Sequence, residues 1–380
     1  MTDLVLISLE RWDEVWRRNQ HLVAGLLRAG QVSSVLFIEP ATDIVHALRR
    51  GRRPGRAAGL RRHEVGVSAR GQLWLFQPRK LLPRRVDQGH DGRWARGVMA
   101  AATRAGLTHP VLWVNDPMGA EVMELTGWPT LYDITDDWLA AHRPAAEHAR
   151  LNAQEQRLLA GADDVVVCSP DLAERKVSAR PVTMIRNGVD LSAYAADPPR
   201  PTDLPAGPVA LYAGTLHRDR LDVPLCLRTA HAIAGAARVV AVGPVLLDRG
   251  EQRRLQEAGV VLLGARPAAE VPAYLRHAKV LLVPHVIDDF TMSLDPIKRY
   301  EYAAAGRPIV ATAVSGFIDD VALTVPAEQF PQAVADVLSG QRRPADPRWA
   351  AAEADWSARV EEMAAVLRRL GRPGHDTIAL

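Results

Sequence analysis

The chain alternates short, unbroken apolar runs with longer stretches of helical spacing. DLVLISL (3–9) and SVLFIEP (34–40) read as strands buried on both faces, since neither shows the polar alternation of a half-exposed strand. Between them, Trp16 to Ala29 sets Leu22, Val23, Leu26 and Leu27 at helical spacing, and Gly30 ends the helix. QLWLF (72–76), PVLWVN (110–115), TLYDIT (130–135) and DDVVVCS (163–169) continue the pattern. AADPPRPTDLPAG (195–207) interrupts it with four prolines and reads as an interdomain linker. A second alternation follows: PVALYAG (208–214), ARVVAVG (237–243), GVVLLG (259–264), AKVLLVP (278–284) and RPIVAT (307–312). Helical stretches at 222–235, 247–257, 268–277 and 296–305 separate them. A last helix over about 348–369 lines up Trp356, Val360, Met363, Val366 and Leu367. The pattern predicts an α/β protein of two doubly wound, Rossmann-like domains, 1–198 and 199–345. A C-terminal helix and tail, 346–380, should pack back on the first domain. Ligands of such sheets bind beyond the carboxyl ends of the strands, so the site is expected between the two domains.

Composition narrows the class. With 380 residues, 48% hydrophobic and 24% charged, the chain can build two cores and is not disordered. No apolar run reaches the roughly 18 residues of a spanning helix. The start, MTDLVLISLERWDEVW, lacks the basic and apolar regions of a secretory signal. Cys168 and Cys226 sit singly in apolar runs, which argues against disulfides and zinc and for a cytoplasmic protein. Charge changes the picture in one place. Between Arg49 and Arg96, thirteen arginines and Lys80 meet only Glu64, Asp87 and Asp91. Such a patch attracts phosphates, and 49–96 is expected to hold an anionic acceptor or touch the inner membrane face peripherally. A solvated Arg/Gly loop is the plainer alternative. No nucleic-acid partner is expected.

The chemistry concentrates in AKVLLVPHVIDDFTMSLDPIKRYEYAAAGRPIVAT (278–312). Asp295 is placed to cap a helix that Pro296 opens and Gly306 closes. Its N-terminus is a ready anion site, with Thr291 and Ser293 adding hydroxyls. Glu301 can accept two hydroxyls at once, and Lys298 shares its helix face. Taken alone, K-x-x-E is equally a solvated helix pair.

DPIKRYEYAAAGRPIVAT closely resembles the P-x-K-x-x-E-Y-x-A-x-G-x-P-x-V-x-T pattern of the GT-B glycosyltransferases, in particular their large, mostly retaining family of bacterial polysaccharide and antibiotic enzymes. The resemblance covers most of 163–312 and, more weakly, the first forty residues. It implies a GT-B fold and a nucleotide-sugar co-substrate (UDP-, GDP- or dTDP-sugar), with no tightly bound cofactor and no metal. It implies a sugar passed, with retention, to a hydroxyl of a polysaccharide, glycolipid or small natural-product acceptor. By this resemblance Glu301 holds the ribose, and Met292, Ser293 and Leu294 lie over the diphosphate and sugar. LYAGTLHRDRLD (211–222) places Gly214 and Thr215 before Arg218 and Arg220, the cations for the leaving diphosphate. The backbone after Gly264, through Arg266 to Pro267, borders the base, and RNGVD (186–190) closes the first domain. One departure stands out: Ser293 occupies a place where the family often has a glutamate, with Asp288, Asp289 and Asp295 nearby. It leaves the sugar and the stereochemical outcome open.

On the acceptor side, RWDEVWRRNQHLVAGLLRAG (11–30) resembles the first loop and helix of a bacterial polysaccharide subgroup. Trp12 and Trp16 are candidates to stack on an acceptor ring, and Asn19, Gln20 and His21 to face the cleft; Trp16 can equally be core. LYDITDDWLAA (131–141) sets Asp133, Asp136 and Asp137 beyond a strand end. One of these, with Asp136 favoured, is the candidate base, while Asp136 or Asp137 can instead cap a helix. Two rival readings remain: a nucleotide-sugar epimerase of the same fold, and a non-catalytic GT-B protein that assists a partner enzyme.

Overall fold

The computed structural model describes residues 2–43, 58–64, 71–80, 82, 84, 86–87, 89–141, 143–176 and 181–371. Much of the basic segment, at 49–57, 65–70, 81, 83, 85 and 88, lies outside the described residues.

The first half of the chain contributes β1 (Thr2–Ile7), β2 (Val32–Ile38), β3 (Thr42–Asp43), β4 (Gly59–His63), β5 (Gln72–Gln77), β6 (Arg79–Lys80), β7 (Val111–Val114), β8 (Thr130–Ile134), β9 (Asp164–Val167) and β10 (Thr183–Met184). Eight of them form one sheet in the order β10-β9-β8-β7-β1-β2-β5-β4, while β3 pairs with β6. All neighbours in the sheet are parallel except the edge strand β4, which lies inside the basic segment and runs antiparallel to β5. The second half adds β11 (Val209–Ala213), β12 (Arg238–Val242), β13 (Val261–Gly264), β14 (Val280–Val283), β15 (Ile309–Ala311) and β16 (Leu323–Thr324). These make a parallel sheet ordered β13-β12-β11-β14-β15-β16.

The apolar runs follow from burial on both faces. In β1, Leu4 and Leu6 enter one core cluster while Val5 and Ile7 enter the other. In β11, Val209 and Leu211 face one side and Ala210 and Tyr212 the other. A strand with cores on both faces has no reason to alternate in polarity.

The chain crosses between the domains twice, side by side. Ile185 belongs to the first domain's core, whereas Val189, Tyr194 and Leu204 belong to the second's. On the return, Ala351 and Ala354 pack in the second core and Trp356 in the first. The two crossings are tied by backbone bonds, Val189 N–H to Ala354 O at 2.8 Å and Trp356 N–H to Val189 O at 3.1 Å. The proline-rich 195–207 segment therefore follows the crossing, because Tyr194 and Leu204 anchor its flanks to the second domain.

The C-terminal helix crosses back as expected, but it spans Trp356–Leu370. Asp355 caps it by accepting the Ser357 N–H at 2.8 Å, and Pro347–Ala351 forms a separate 3-10 turn. Its face packs on helix Arg18–Arg28, where a Cβ on Gly25 would overlap Val360. A second correction concerns helix Ile297–Ala305. Pro296 occupies the cap position, with no side-chain cap bond. Asp295 instead accepts the Asn187 N–H at 2.6 Å and the Tyr300 hydroxyl at 2.7 Å, bracing the crossing.

Candidate functional site

A cleft of about 510 Å³ lies between the two domains, beyond the carboxyl ends of β1, β7, β8, β11 and β12. On the second domain's side it is lined by Gly214, Thr215, Gly243, Arg266, Lys298 and Glu301. The glycines are dictated by close approach. Gly214 has φ +140° and Gly243 +141°, and a Cβ on Gly243 would collide with the Gly214 carbonyl. A Cβ on Gly214 would lie 3.0 Å from Lys298 Nζ.

Lys298 and Glu301 stand one turn apart on helix Ile297–Ala305, whose first-turn N–H groups lack a side-chain cap. Lys298 Nζ donates to the Tyr212 hydroxyl at 3.0 Å and lies 3.1 Å from His285 Nε2. Burial, aided by Arg220, pushes the Lys298 pKa down to about 7. Burial pushes Glu301 up to about 7, with Lys298 opposing. His285 is buried, which holds its pKa well below the ordinary histidine value and leaves a neutral ring beside the ammonium.

The four arginine and glycine candidates behind this helix separate. Arg220 lines the cleft and reaches Asp136 of the first domain at 2.9 Å. Arg218 does not line it. The capping box of helix Arg249–Glu257 draws Arg218 to the surface, with Glu251 at 2.7 Å and Asp248 at 2.9 Å. Arg266 lines the cleft, fixed by Tyr274 at 3.0 Å and the Leu263 carbonyl at 2.6 Å. Gly264 ends β13 with φ +76° and turns the chain without lining the cleft itself.

Of Met292, Ser293 and Leu294, only Leu294 is a wall of the cleft. Ser293 is fully buried at the domain boundary. Its hydroxyl donates to Phe290 O at 2.8 Å and accepts the Asp137 N–H at 3.4 Å, and its carbonyl accepts from Ser169 Oγ at 2.6 Å. Ser293 thus serves an interdomain clasp and does not line the cleft.

The three aspartates also part. Asp133 is fully buried in a two-bond ion pair with Arg18, at 3.1 and 3.2 Å, and accepts the Trp113 indole N–H at 3.2 Å. Asp137 is buried too, held by Lys176 at 3.2 Å, and accepts the Leu139 N–H at 3.3 Å. Asp136 alone of the three lines the cleft. In the first loop, Trp12 is core, edge-on to Phe37 at 5.2 Å, so it is not free to stack on an acceptor. Gln20 is buried and fixes the loop, accepting the Arg17 N–H at 3.2 Å and donating to Arg11 O at 3.0 Å. His21 stacks on Trp356 at 4.7 Å, and burial pushes its pKa down to about 4. It secures the returning helix. Asn19 and Trp16 do line the cleft.

Sequence reasoning missed Glu10, Asn115 and Asp116, all cleft walls. Burial raises Glu10 to about 7, with Arg17 pulling it back and Asp136 adding to the rise. Asn19 and Asn115 each carry a buried Oδ1 with no hydrogen-bond partner. Their shared signal is position: Glu10 follows β1, and Asn115 and Asp116 follow β7.

Residues 207–340 match the model of a family described as glycosyl transferases group 1. A putative teichuronic acid biosynthesis glycosyltransferase of Bacillus subtilis is 24% identical over 219 residues, which cover 53% of this chain and 55% of that protein. The match thus spans about half of the relative's length. Among solved structures, sucrose-phosphate synthase from Thermosynechococcus elongatus is similar at TM-score 0.70 and 20% identity, covering 97% of this chain and 99% of its own. An α,α-trehalose-phosphate synthase (UDP-forming) from Burkholderia xenovorans, in complex with glucose-6-phosphate, is similar at 0.64 and 11%, covering 96% and 100%. A trehalose-6-phosphate synthase studied for glycosyl transfer with retention is similar at 0.62 and 13%, covering 96% and 99%. The fold is GT-B: two facing Rossmann-like domains with the last helix crossing back.

Proposed function

We propose that this GT-B chain, with its glycosyl transferases group 1 domain, moves a sugar from a nucleotide sugar to an acceptor hydroxyl. One observation carries the reading: Lys298 and Glu301 face the same cleft as the Gly214 and Gly243 turns, within the matched 207–340 domain. The glycines let a diphosphate approach the backbone, where Lys298 and the uncapped helix N-terminus meet its charge. Glu301 accepts the ribose hydroxyls, and Arg266 borders the base. UDP, GDP and dTDP sugars all fit this scheme. Lys298, Arg220 and the helix dipole together supply the positive charge the leaving diphosphate needs, which supports a metal-independent reaction. Retention is part of the same proposal and is supported by the motif around Glu301. Asp136 and Asn19 face the donor from the first domain and are the acceptor-side groups.

The relative named for teichuronic acid favours a cell-surface polysaccharide or its glycolipid precursor over a natural-product scaffold. No helix among the described residues is long and apolar enough to cross a membrane. A cytoplasmic protein that meets the inner membrane face through the arginine-rich segment 49–96 is part of the same proposal, supported by the excess of arginine there.

Glu301→Ala is expected to weaken nucleotide-sugar binding about ten- to a hundredfold, because it removes charged hydrogen bonds worth roughly 1.5–3 kcal/mol. A 2′,3′-dideoxy nucleotide should bind the wild type poorly and ignore the substitution. Calorimetry that finds equal losses for both nucleotides would remove the ribose role. Incubation with nucleotide sugar alone separates the rivals: an epimerase makes a new nucleotide sugar, whereas a transferase needs an acceptor. A protein that binds nucleotide but turns over no acceptor would be the non-catalytic auxiliary.

The donor site also predicts a pH profile. Ribose hydroxyls favour ionised Glu301, so affinity should fall as pH drops below about 7, where that carboxyl takes a proton. The diphosphate favours protonated Lys298, so affinity should also fall as pH rises above about 7. Nucleoside diphosphate affinity is thus expected to be bell-shaped. Glu301→Gln should flatten the acid limb and Lys298→Gln the alkaline one. A flat profile for the wild type would contradict both assignments.

A further inference from the structure

We propose that a second, smaller cavity in the first domain, walled by Lys80, Arg84 and His90, binds a phosphate group carried by the acceptor. The cavity measures about 200 Å³ and adjoins the main cleft, with Asp116 lining both. Its floor is formed by Ser8 after β1 and by Glu39 and Pro40 after β2, the strand ends where such sheets place ligands. The space holds several waters, enough for a phosphate and part of a sugar ring.

Three observations point to an anion. His90 is 6% exposed, yet its Nε2 is buried with no hydrogen-bond partner. A native protein rarely leaves such an atom unmatched unless water or a ligand completes it. Its other nitrogen, Nδ1, lies 4.0 Å from Asp87, which Arg93 also holds. Arg84 bonds Asp91 at 2.7 Å through Nε, while among the described residues its Nη2 meets the Met118 thioether sulfur, a weak acceptor that a phosphate oxygen outcompetes. The two carboxylates of the wall are already compensated. Glu39 accepts from Arg61 at 2.9 and 3.0 Å and from the Trp12 N–H at 3.1 Å. Asp116 accepts the Met118 N–H at 3.0 Å, and burial raises its pKa. Burial and the cation of Arg84 also lower the His90 pKa, so an arriving phosphate would meet a neutral ring able to donate or accept. Asp116, at the junction of the two spaces, can orient a sugar hydroxyl toward the cleft.

That the phosphate belongs to the acceptor rests on the glycosyl-transfer reading; the anion pocket itself does not. The phosphate can come from a soluble sugar phosphate or from a lipid headgroup. The test compares wild type with His90→Gln and with Arg84→Gln, at a side chain 30% exposed. Binding is measured for glucose 6-phosphate against glucose, and for phosphatidylglycerol vesicles against phosphatidylcholine vesicles. Nucleoside diphosphate binding serves as the control for folding. A soluble source predicts that glucose 6-phosphate outbinds glucose by about tenfold or more and shifts the His90 imidazole signal. A lipid source predicts that the anionic vesicles bind wild type about tenfold more tightly than the remaining arginines of 49–96 alone hold them, so that each variant loses that gain. In either case both variants should lose the pocket's share of the preference while nucleotide affinity stays level. No phosphate preference from either source, or one that both variants retain, would overturn the pocket. Loss of nucleotide-sugar turnover with the phosphate preference intact would instead overturn the glycosyl-transfer reading alone.

Discussion

Alanine at Asp136 is expected to slow single-turnover transfer by about 10²–10⁴ without weakening donor binding, since Arg220 then has no carboxylate to leave. The expectation follows from exposure to the cleft. Asp133 and Asp137 are buried in ion pairs with Arg18 and Lys176, so neither can meet an acceptor hydroxyl. Asp136 lines the cleft opposite Lys298 and Glu301. Its partner Arg220, at 2.9 Å, comes from the second domain, so a bound diphosphate that drew Arg220 away would also free the carboxylate. Asp136→Asn separates proton transfer from positioning: it keeps a hydrogen bond to Arg220 but cannot take a proton. If Asp136→Asn stays within about fivefold of wild type, Asp136 only holds the domains together. The proton would then pass to Glu10, which lines the same wall, or to the donor phosphate, as front-face retention allows. Glu10→Gln, assayed in parallel, decides between these two.

The second large effect is on stability. Asp133→Ala should destabilise the first domain by about 3–5 kcal/mol, because it leaves the Arg18 guanidinium buried without its counter-charge. Arg18 and Asp133 are respectively 5% and 0% exposed in their side chains. Arg18 also reaches Arg186 O and Asn187 Oδ1, each at 3.2 Å, so the pair ties β8 to the first crossing between domains. Urea unfolding followed by tryptophan emission measures the loss, since Asp133 bonds the Trp113 indole. Replacing both partners together, with Arg18→Met and Asp133→Leu, should recover much of the stability. A loss below about 1 kcal/mol for Asp133→Ala would show that the pair is solvated and minor.

The pairing of Lys298 and Glu301 on one cleft-lining helix was legible in the residues because it is local. P-x-K-x-x-E on one helix fixes the relative positions of Lys298 and Glu301 whatever surrounds them. The same locality explains Gly306, whose φ of +65° closes that helix. Ser293, Arg218 and Gln20 were misplaced because each is one residue or one turn from a cleft wall. Ser293 and Arg218 are turned by partners far along the chain, Asp137 and Ser169 for the first and Asp248 and Glu251 for the second, whereas Gln20 is held by Arg11 and Arg17 of its own loop. Asp295 illustrates the same rule. It has the right type and position for a helix cap, yet Asn187, 108 residues away, claims its carboxylate.

By itself, then, the sequence determined the alternation of strands and helices, the two-domain count and the helix that carries Lys298 and Glu301. Apolar runs bounded by Gly and Pro state burial directly, and burial on both faces admits few folds. Only the tertiary structure decided which of three neighbouring aspartates meets the cleft, and that Glu10, Asn115 and His90 border spaces a ligand can enter. Whether a polar side chain ends in an ion pair or in an open pocket depends on what the other strand ends bring to it. Those ends lie from tens to more than a hundred residues apart, and no local spacing records their meeting.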